Sequence, residues 1–350
     1  MSQSSGFYSW LRPLLFRLDP EHAHDLTVNL LQTASRYRLT RKILESIYSP
    51  GESKAVEFAG LRFPNPVGCA AGYDKNAECW LGLGLLGFGH VEIGTVTPRP
   101  QAGNPKPRIF RLPEDRAVIN RMGFPGSGMD SVLRNLPDRF DRSRGSDLIL
   151  GVNIGKNKST PNEEAGEDYL QLLEAFYPKV DYFTINVSSP NTVGLRELQE
   201  RRPLENLVSD LIQTRDRLIS PQRVLPVFVK LSPDLSQQEL DHALEAIIQG
   251  GADGVIATNT TTNRPALRNF QAEETGGLSG RPLRSRSLEV VRFISRKTGG
   301  KLPIIGVGGV ETVDDARRML DSGADLIQIY TGLIYRGPGL VKTLVENLSG

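Results

Sequence analysis

Short apolar segments alternate with amphipathic helical segments along most of the chain, and this alternation constrains the fold more than any other feature. Strands and helices differ in period, so the spacing of apolar residues tells them apart. The spacing predicts eight strands, at 66–70, 90–94, 148–153, 181–186, 226–230, 253–257, 303–307 and 325–329. It predicts intervening helices at 76–86, 162–175, 203–219, 236–249, 284–298 and 312–321.

Eight buried strands joined by helical crossovers predict an α/β protein with the (β/α)8, or TIM barrel, fold. An open doubly wound sheet is the alternative, but such a sheet needs a switch point and usually has fewer strands. The segment 82–87 matches the glycine pattern GxGxxG, yet it ends a helix and precedes a strand. A dinucleotide-binding fold requires the reverse order, so we interpret this segment as a turn.

Two β-hairpins are predicted outside the eight-strand pattern. The first joins 56–58 to 61–63 through Ala59-Gly60, ahead of the barrel. The second joins 108–112 to 117–120 inside the longer stretch 97–147, which is also expected to carry a helix.

The N-terminal segment has a pattern of its own. After a first helix with one apolar face, a second helix is predicted to begin at Asp19-Pro20-Glu21, with a cap, a proline at the first position and an acid in the first turn. The pattern alone favours a helical hairpin packed on the barrel, and contact of its apolar face with lipid is the alternative. We therefore divide the chain into a helical segment, 1–45, and a barrel domain, 55–350. The first helical face carries Phe7, Trp10, Leu11, Leu14, Leu15 and Leu18.

Composition excludes several classes of function. A formal net charge of +2 without a basic tract disfavours nucleic acid as a partner. The two cysteines, Cys69 and Cys79, are too few for a disulfide scaffold or an iron–sulfur cluster. The four histidines share no metal-binding spacing, so we expect no metal site. No apolar run approaches the ~18 residues of a membrane span.

The predicted strands end in polar residues or glycine. In a TIM barrel the active site forms at the carboxyl ends of the strands. Asparagine, threonine, lysine and glycine dominate those ends here and carboxylates are few, which predicts a pocket for a large, polar, anionic ligand. The ends are 70–75, 94–95, Asn153, Asn186, Lys230, 258–260, 306–309 and 330–332.

The last two strand ends are typical of a phosphate site. Glycine-rich turns expose backbone N–H groups, and loops after the seventh and eighth strands commonly bind phosphate in this fold. Tight turns alone would also explain the glycines. Lys230 closes an otherwise apolar strand, either as a structural ion pair or as a cation beside a redox ring. Taken together, these features favour flavin mononucleotide (FMN).

The segment 186–196, Asn-Val-Ser-Ser-Pro-Asn-Thr-Val-Gly-Leu-Arg, follows a predicted buried strand. It places two amide side chains, Asn186 and Asn191, beside the hydroxyl of Ser189. Such a group can hold a flat polar ligand and remove a proton from it.

These motifs, in this order, resemble the quinone-dependent (class 2) dihydroorotate dehydrogenases over nearly the whole chain. They run from 18–21 and His24 through 71–75, 94–98, 103–105, 111–115, 120–124, 186–196, 230–234, 277–280 and 306–309 to 328–330. The resemblance implies oxidation of (S)-dihydroorotate to orotate in pyrimidine biosynthesis, with one FMN per chain. The residues similar to the family's FMN ligands are Ala71, Gly72, Thr95, Asn153, Asn186, Lys230, Thr258, Gly280, Gly309, Tyr330 and Thr331.

The resemblance also implies a substrate clamp, in which Lys75 meets the substrate carboxylate and asparagines meet the ring amides. Ser189 resembles the general base that takes the C5 proton, and the sequence does not show what relays that proton onward. Class 1 relatives carry cysteine as the base, so serine here indicates class 2. The clamp residues are Lys75, Asn120, Arg121, Met122, Gly123, Phe124, Asn186, Asn191, Asn259 and Thr260.

Two positions depart from the family pattern. Pro125-Gly126 follows the substrate loop where asparagine is common, and Val193 replaces a frequent proline in the serine loop. Both lie beside the chemistry, so they bear on loop rigidity more than on activity.

In class 2 enzymes the N-terminal helices form a tunnel that a lipid quinone enters from the membrane. The resemblance therefore favours contact of the N-terminal helices with lipid, whereas the pattern alone favours a hairpin packed on the barrel. His24, Arg111 and Tyr330 resemble the residues near the quinone head group, which would be that of ubiquinone or menaquinone. We expect a peripheral membrane protein on the cytoplasmic side of a bacterial membrane, because no targeting segment is evident, and we expect a monomer.

Three other functions stay open. A class 1-like FMN enzyme would use fumarate or a protein acceptor. A flavin-binding RNA-modifying barrel of the dihydrouridine synthase type would want a basic face or an appended domain. A non-catalytic phosphate-binding barrel would be colourless.

Overall fold

The computed structural model describes residues 6–51, 53–137, 147–192, 194–218 and 224–348, so Val193, the end of the helix predicted at 203–219 and the side chain of Phe7 lie outside the described set. Its strands are β1 (Val56–Phe58), β2 (Leu61–Phe63), β3 (Val67–Cys69), β4 (His90–Val96), β5 (Ile109–Leu112), β6 (Ala117–Asn120), β7 (Ile149–Ile154), β8 (Tyr182–Asn186), β9 (Val227–Leu231), β10 (Gly254–Ala257), β11 (Gly277–Gly280), β12 (Ile304–Val307) and β13 (Leu326–Ile329). Its α-helices are α1 (Gly6–Leu15), α2 (Pro20–Arg36), α3 (Arg38–Tyr48), α4 (Trp80–Gly84), α5 (Met129–Asn135), α6 (Ala165–Phe176), α7 (Arg201–Leu218), α8 (Gln237–Gly250), α9 (Arg284–Lys297), α10 (Val313–Asp321), α11 (Thr331–Arg336) and α12 (Gly339–Leu348).

Eight strands form a closed parallel barrel in the order β3, β4, β7, β8, β9, β10, β12 and β13, with β13 pairing back to β3. This closure confirms the TIM barrel and excludes the open sheet. Each barrel strand lies within two residues of its predicted bounds. The register places Asn153 beside Gly94 and Asn186 beside Lys230, so the predicted site residues share one level of the barrel.

Five of the six predicted outer helices form where the spacing of apolar residues predicts them, and α8 illustrates the reasons. Leu240, Leu244 and Ile247 are buried at helical spacing against the barrel. Ser236 and Glu239 form a capping box at its start, each accepting a hydrogen bond from the other's backbone. Gly251, at φ +84°, ends the helix in a left-handed conformation that glycine adopts without strain.

The helix predicted over 76–86 is wrong in length, because only Trp80–Gly84 is helical. The Asp74 carboxylate accepts hydrogen bonds from the backbone N–H groups of Glu78 and Cys79, at 2.8 Å each, and holds the preceding segment in turns. The sequence pattern also missed α3, none of whose residues is buried. It missed β11 as well, which pairs with β6 of the predicted second hairpin to form a three-stranded antiparallel sheet.

An aromatic cluster fills the amino-terminal end of the barrel. Phe58 and Phe63, from the β1–β2 hairpin, pack on Phe228 and Tyr182, with the Phe58 and Phe228 ring centroids 5.4 Å apart. A Cβ atom on Gly151 would lie 2.0 Å from the Tyr182 ring, so only glycine leaves room for that ring. Because the cluster closes this end, the carboxyl ends of the strands are left to form a ligand site.

The N-terminal helices are tied to the barrel by charged and polar contacts. Glu21, in the first turn of α2, forms a paired salt bridge with Arg108, the closer pair of atoms being 2.7 Å apart. Arg111, on β5, donates to the carbonyl oxygens of Leu15, the last residue of α1, at 3.0 Å, and of Leu18, in the turn that follows. The predicted cap at Asp19 is confirmed, since its carboxylate accepts from the next two backbone N–H groups of α2.

The outer faces of α1, α2 and α3 expose large apolar side chains. Trp10 is 83% exposed and Leu39 is 71% exposed, and it is the number of such residues on these helices that is informative. No helix in the described ranges is both long and apolar enough to cross a membrane. The other exposed apolar residues of these helices and of the turns between them are Leu14, Leu18, Leu26, Leu30, Tyr37, Ile43 and Ile47.

Replacing His90 should make folding less sensitive to acid. The His90 ring is fully buried edge-on against Phe63, and burial lowers its pKa to about 3. Below pH ~6.5 the unfolded chain therefore binds a proton at His90 that the native state does not bind. The free energy of unfolding thus decreases as the pH is lowered from about 6.5 to 3. His90→Phe, measured by urea unfolding at several pH values, should reduce that slope by up to ~1.4 kcal/mol per pH unit.

The exposed His22 provides the control for this experiment. The variant His22→Phe should keep the acid sensitivity of the parent. An equal loss of stability on acidification in the parent and in His90→Phe would contradict the assignment.

Candidate active site

A cavity of about 450 Å³ opens at the carboxyl ends of the barrel strands and extends between α1 and α2. It brings together nearly all of the residues predicted from the sequence to bind a cofactor, substrate or quinone. Those that line it are His24, Ala71, Gly72, Lys75, Thr95, Arg111, Asn120, Met122, Gly123, Phe124, Asn186, Ser189, Asn191, Lys230, Thr258, Asn259, Thr260, Gly280, Gly309, Tyr330 and Thr331.

Two predicted residues do not line this cavity. Asn153 is fully buried behind the wall, where it contacts lining residues. The Arg121 guanidinium points to the surface, 2.7 Å from the Glu274 carboxylate and over the Phe110 ring. The side chain of Arg121 is therefore placed to hold the loop that carries it and not to contact a ligand in the cavity.

A directed chain of amide hydrogen bonds forms one wall of the cavity. Asn259 Nδ2 donates to Asn186 Oδ1 at 3.2 Å, and Asn186 Nδ2 donates to Asn153 Oδ1 at 3.0 Å. Thr95 Oγ1 also donates to Asn153 Oδ1, at 2.5 Å, and Asn259 Nδ2 reaches Ser188 Oγ at 3.0 Å. These residues come from three barrel strands and the loop after a fourth, so the wall exists only in the closed barrel.

The chain of amides ends at Glu92, on β4, a residue that the sequence analysis did not single out. Asn153 Nδ2 donates to Glu92 Oε1 at 2.8 Å, and Gln328 Nε2 donates to Glu92 Oε2 at 2.9 Å. Thr184 Oγ1 lies 3.2 Å from the same Oε2, and Lys230 Nζ lies 3.7 Å from Oε1. Glu92 has no exposed surface. A signal existed, because Glu92 is a charged residue inside a predicted buried strand.

The loop after β8 holds Ser189 at the edge of the cavity. The backbone N–H of Asn191 donates to Ser189 Oγ at 3.3 Å, and Asn191 Nδ2 donates to Asn120 Oδ1 at 3.1 Å. Asn120 Nδ2 lies 3.4 Å from the carbonyl oxygen of Gly277. Among the described residues, no carboxylate or imidazole bonds to the Ser189 hydroxyl, so its surroundings are hydroxyl and amide groups.

A glycine turn follows β12 at the far side of the cavity. Gly308 and Gly309 have φ +130° and +72°, and a Cβ on Gly309 would lie 2.9 Å from the backbone nitrogen of Arg284. Within the described ranges, neither glycine N–H donates to a backbone carbonyl. The nearby guanidinium of Arg284 is 2.6 Å from Asp315, so that cation is already paired. The backbone N–H groups of Gly308 and Gly309 are thus donors without a backbone partner in the described residues.

Lys75 and His24 meet where the cavity passes from the barrel to α2. Lys75 Nζ lies 3.4 Å from His24 Nε2. Burial lowers the pKa of Lys75, and it lowers the pKa of His24 to about 3, with the charge of Lys75 acting in the same direction. The Tyr73 and Tyr330 rings, 6.0 Å apart, lie beside this pair.

Neither cysteine is placed for chemistry. Cys69 and Cys79 are free and buried, and burial raises the pKa of both thiols, so neither is a ready thiolate. In the described part of the chain, no group of three or more His, Cys, Asp or Glu side chains could hold a metal ion. The polar side chains that line the cavity are amides and hydroxyls, together with Lys75, Lys230, His24 and Arg111.

The family described as dihydroorotate dehydrogenase matches residues 53–350. The chain belongs to the dihydroorotate dehydrogenase family. Curated relatives extend the likeness over the N-terminal helices. One from Roseiflexus sp. (strain RS-1), named dihydroorotate dehydrogenase (quinone), is 49% identical over 346 residues, covering 99% of this chain and 94% of the relative. Another of that name, from Idiomarina loihiensis, is 46% identical and covers 97% of this chain and 100% of the relative.

A solved structure of the same family has the same fold. The crystal structure of the DHODH of Eimeria tenella in complex with ferulenol has a TM-score of 0.85 and 40% sequence identity, covering 94% of this chain and 90% of that one. The ligand-free form of that protein has a TM-score of 0.83. The closed barrel is thus the fold of family members as well as of this chain.

Proposed function

We propose that this protein oxidises (S)-dihydroorotate to orotate through FMN and passes the electrons to a membrane quinone, in the synthesis of pyrimidine nucleotides. The observation that carries the proposal is one continuous cavity. At its barrel end it is lined by Ser189, Lys230, Asn186 and Asn259, and at its other end by α1 and α2. Such a cavity can bind a polar substrate at the barrel end, beside Ser189, and an apolar substrate at the end formed by the helices.

The cavity wall fits FMN on three grounds. The N–H groups of Gly308 and Gly309 are free backbone donors for a phosphate. Lys230 is buried and, within the described residues, has no acceptor at hydrogen-bond distance, so its protons face the cavity. Gln328 Oε1 is buried and lacks a partner in the same set. The residues proposed to hold FMN are Ala71, Gly72, Thr95, Asn186, Lys230, Thr258, Gly280, Gly309, Tyr330 and Thr331, with Asn153 acting from behind the wall through Thr95 and Asn186.

Dihydroorotate is proposed to bind between the amide wall and the substrate loop. Lys75 supplies a cation for the substrate carboxylate, and Asn120, Asn191 and Asn259 supply donors and acceptors for the ring amides. Ser189 Oγ takes the C5 proton as its own hydroxyl proton passes to water in the cavity. When bound, FMN accepts the two electrons and the hydrogen that leave C6. The polar wall holds the dihydroorotate ring in one orientation, from which the C5–H and C6–H bonds can both break.

Quinone is proposed to enter between the N-terminal helices. The cavity there is lined by Leu11, Leu15, Leu30 and Leu44, and His24, Arg111 and Tyr330 stand at its inner end. The exposed apolar faces of α1, α2 and α3 are proposed to lie on the membrane surface, on the cytoplasmic side of a bacterial membrane. Ubiquinone and menaquinone both fit such an apolar passage.

The main test is spectroscopic and uses the purified full-length protein. It should be yellow, and dihydroorotate added without oxygen should bleach it, because the electrons then reside on the flavin. A short-chain quinone should restore the colour and fumarate should not. Restoration by fumarate alone would favour the class 1-like enzyme, and a colourless protein that cannot be reconstituted with FMN would overturn the proposal.

Ser189→Ala should lower turnover by about 10²–10⁴-fold, the usual contribution of a general base. FMN content should not change, because Ser189 is placed beside the substrate. The measurement is the rate of anaerobic bleaching by dihydroorotate. Ser188→Ala is the matched control, because the Ser188 hydroxyl already accepts a hydrogen bond from Asn259. The bleaching rate of this variant should fall by less than about tenfold. Bleaching at the parent's rate in Ser189→Ala would remove the serine from this role.

Apolar side chains of α3 should contribute to membrane binding. Leu39, Ile43 and Ile47 recur every fourth residue and are 71%, 48% and 53% exposed. Replacing all three by serine should weaken binding to lipid vesicles at least about tenfold, since each apolar side chain is worth roughly 1.5–3 kcal/mol when buried. Phe270→Ser is the control, because Phe270 is 89% exposed but lies outside these helices. Equal sedimentation of the triple variant and parent with vesicles would contradict the membrane role.

A further inference from the structure

Glu92 is a fully buried acid in the middle of the barrel, and its hydrogen-bond partners among the described residues are all donors. Asn153 and Gln328 donate through amide N–H groups to its two oxygens, and Thr184 through its hydroxyl. Tyr182 OH adds a longer contact, at 3.4 Å. Donors therefore stand at both carboxylate oxygens of Glu92, and each oxygen acts as an acceptor.

This acceptor-only end gives the chain of amides its direction. An asparagine can present either its oxygen or its nitrogen to a neighbour, so a row of them has two possible directions. Because Glu92 can only accept, Asn153 must turn its nitrogen inward and its oxygen toward Asn186. Asn186 then offers its own oxygen to Asn259. The donors and acceptors that the wall presents to a ligand are thereby fixed by a residue that does not line the cavity.

Glu92 also lies beside the one cation of this wall. Lys230 Nζ is 3.7 Å from Glu92 Oε1, and the two side chains are almost fully buried. In such surroundings the charges act on each other strongly, since little water screens them. The pair is thus nearly neutral as seen from the cavity, although Lys230 alone would be a full positive charge.

We propose that Glu92 is a positioning residue that fixes the direction of the amide wall and offsets the charge of Lys230, and so sets the redox potential of the bound flavin. The inference rests on the proposed function, because it takes FMN as the occupant of the cavity. Two-electron reduction places negative charge on the isoalloxazine ring. A carboxylate nearby opposes that charge, so Glu92 holds the potential lower than Lys230 alone would allow.

The test is the midpoint potential of the FMN-loaded full chain, measured by redox titration in the variant Glu92→Gln. The substitution keeps the shape and removes the charge. The reduced form should be favoured about tenfold more than in the parent, which for a two-electron couple is a shift of about +30 mV. Glu92→Asp keeps the carboxylate but shortens the side chain by one methylene. It should favour the reduced form two- to fivefold more than in the parent.

Thr184→Val is the matched control, because it removes one hydrogen bond to Glu92 and leaves every charge in place. It should change the ratio less than twofold, and a shift equal to that of Glu92→Gln would overturn the electrostatic role. If Glu92→Gln fails to fold or to retain FMN, Glu92→Asp decides the question. An unchanged or lowered potential in the folded variants overturns the inference while leaving the proposed function intact. A parent that binds no FMN overturns both.

Discussion

One buried carboxylate joins five of the eight barrel strands. Glu92 projects from β4 and meets side chains from β7, β8, β9 and β13, through Asn153, Thr184, Lys230 and Gln328. Burying a charge is costly, and an ion pair in a protein interior is often no more stabilising than apolar residues of the same volume. A carboxylate kept there is thus poorly explained by stability. It is better explained by the order it imposes, since a fully satisfied polar network selects one arrangement of its members.

Barrel closure makes that network possible. An open sheet would place its first and last strands far apart, whereas closure pairs β13 with β3 and brings Tyr330 within 3.5 Å of the Gly72 carbonyl oxygen, 258 positions away in sequence. The aromatic cluster at the amino-terminal end fills the space below this level. The residues at the carboxyl ends of the strands are consequently held by strands that have little freedom to move. A site that binds a rigid ring needs such pre-organised side chains.

Much of this arrangement follows from sequence, because strand burial and strand termination leave clear signals. Apolar runs of strand length predicted all eight barrel strands, and residues that end seven of them line one cavity as expected, while Asn153 lies behind its wall. Glu92 was missed because a single acid within an apolar run gives no sign of its partners, which lie on other strands. The helix at 76–86 was predicted too long because the Asp74 side chain competes for the backbone there. The side chain of Arg121 was placed in the clamp, yet Glu274 holds it outside through a contact between distant loops.

The N-terminal helices are bonded to the loops that carry the proposed substrate clamp. Arg108, which pairs with Glu21 of α2, also donates to the backbone oxygen of Asn104 at 2.9 Å. Asn104 Nδ2 in turn donates to the backbone oxygens of Arg121 and Asn191, at 3.0 and 3.1 Å. A displacement of α2 would therefore strain the loops around the polar end of the cavity. The helices thus do more than cover an apolar passage: the same bonds that seat them on the barrel hold the pocket beside Ser189 in shape.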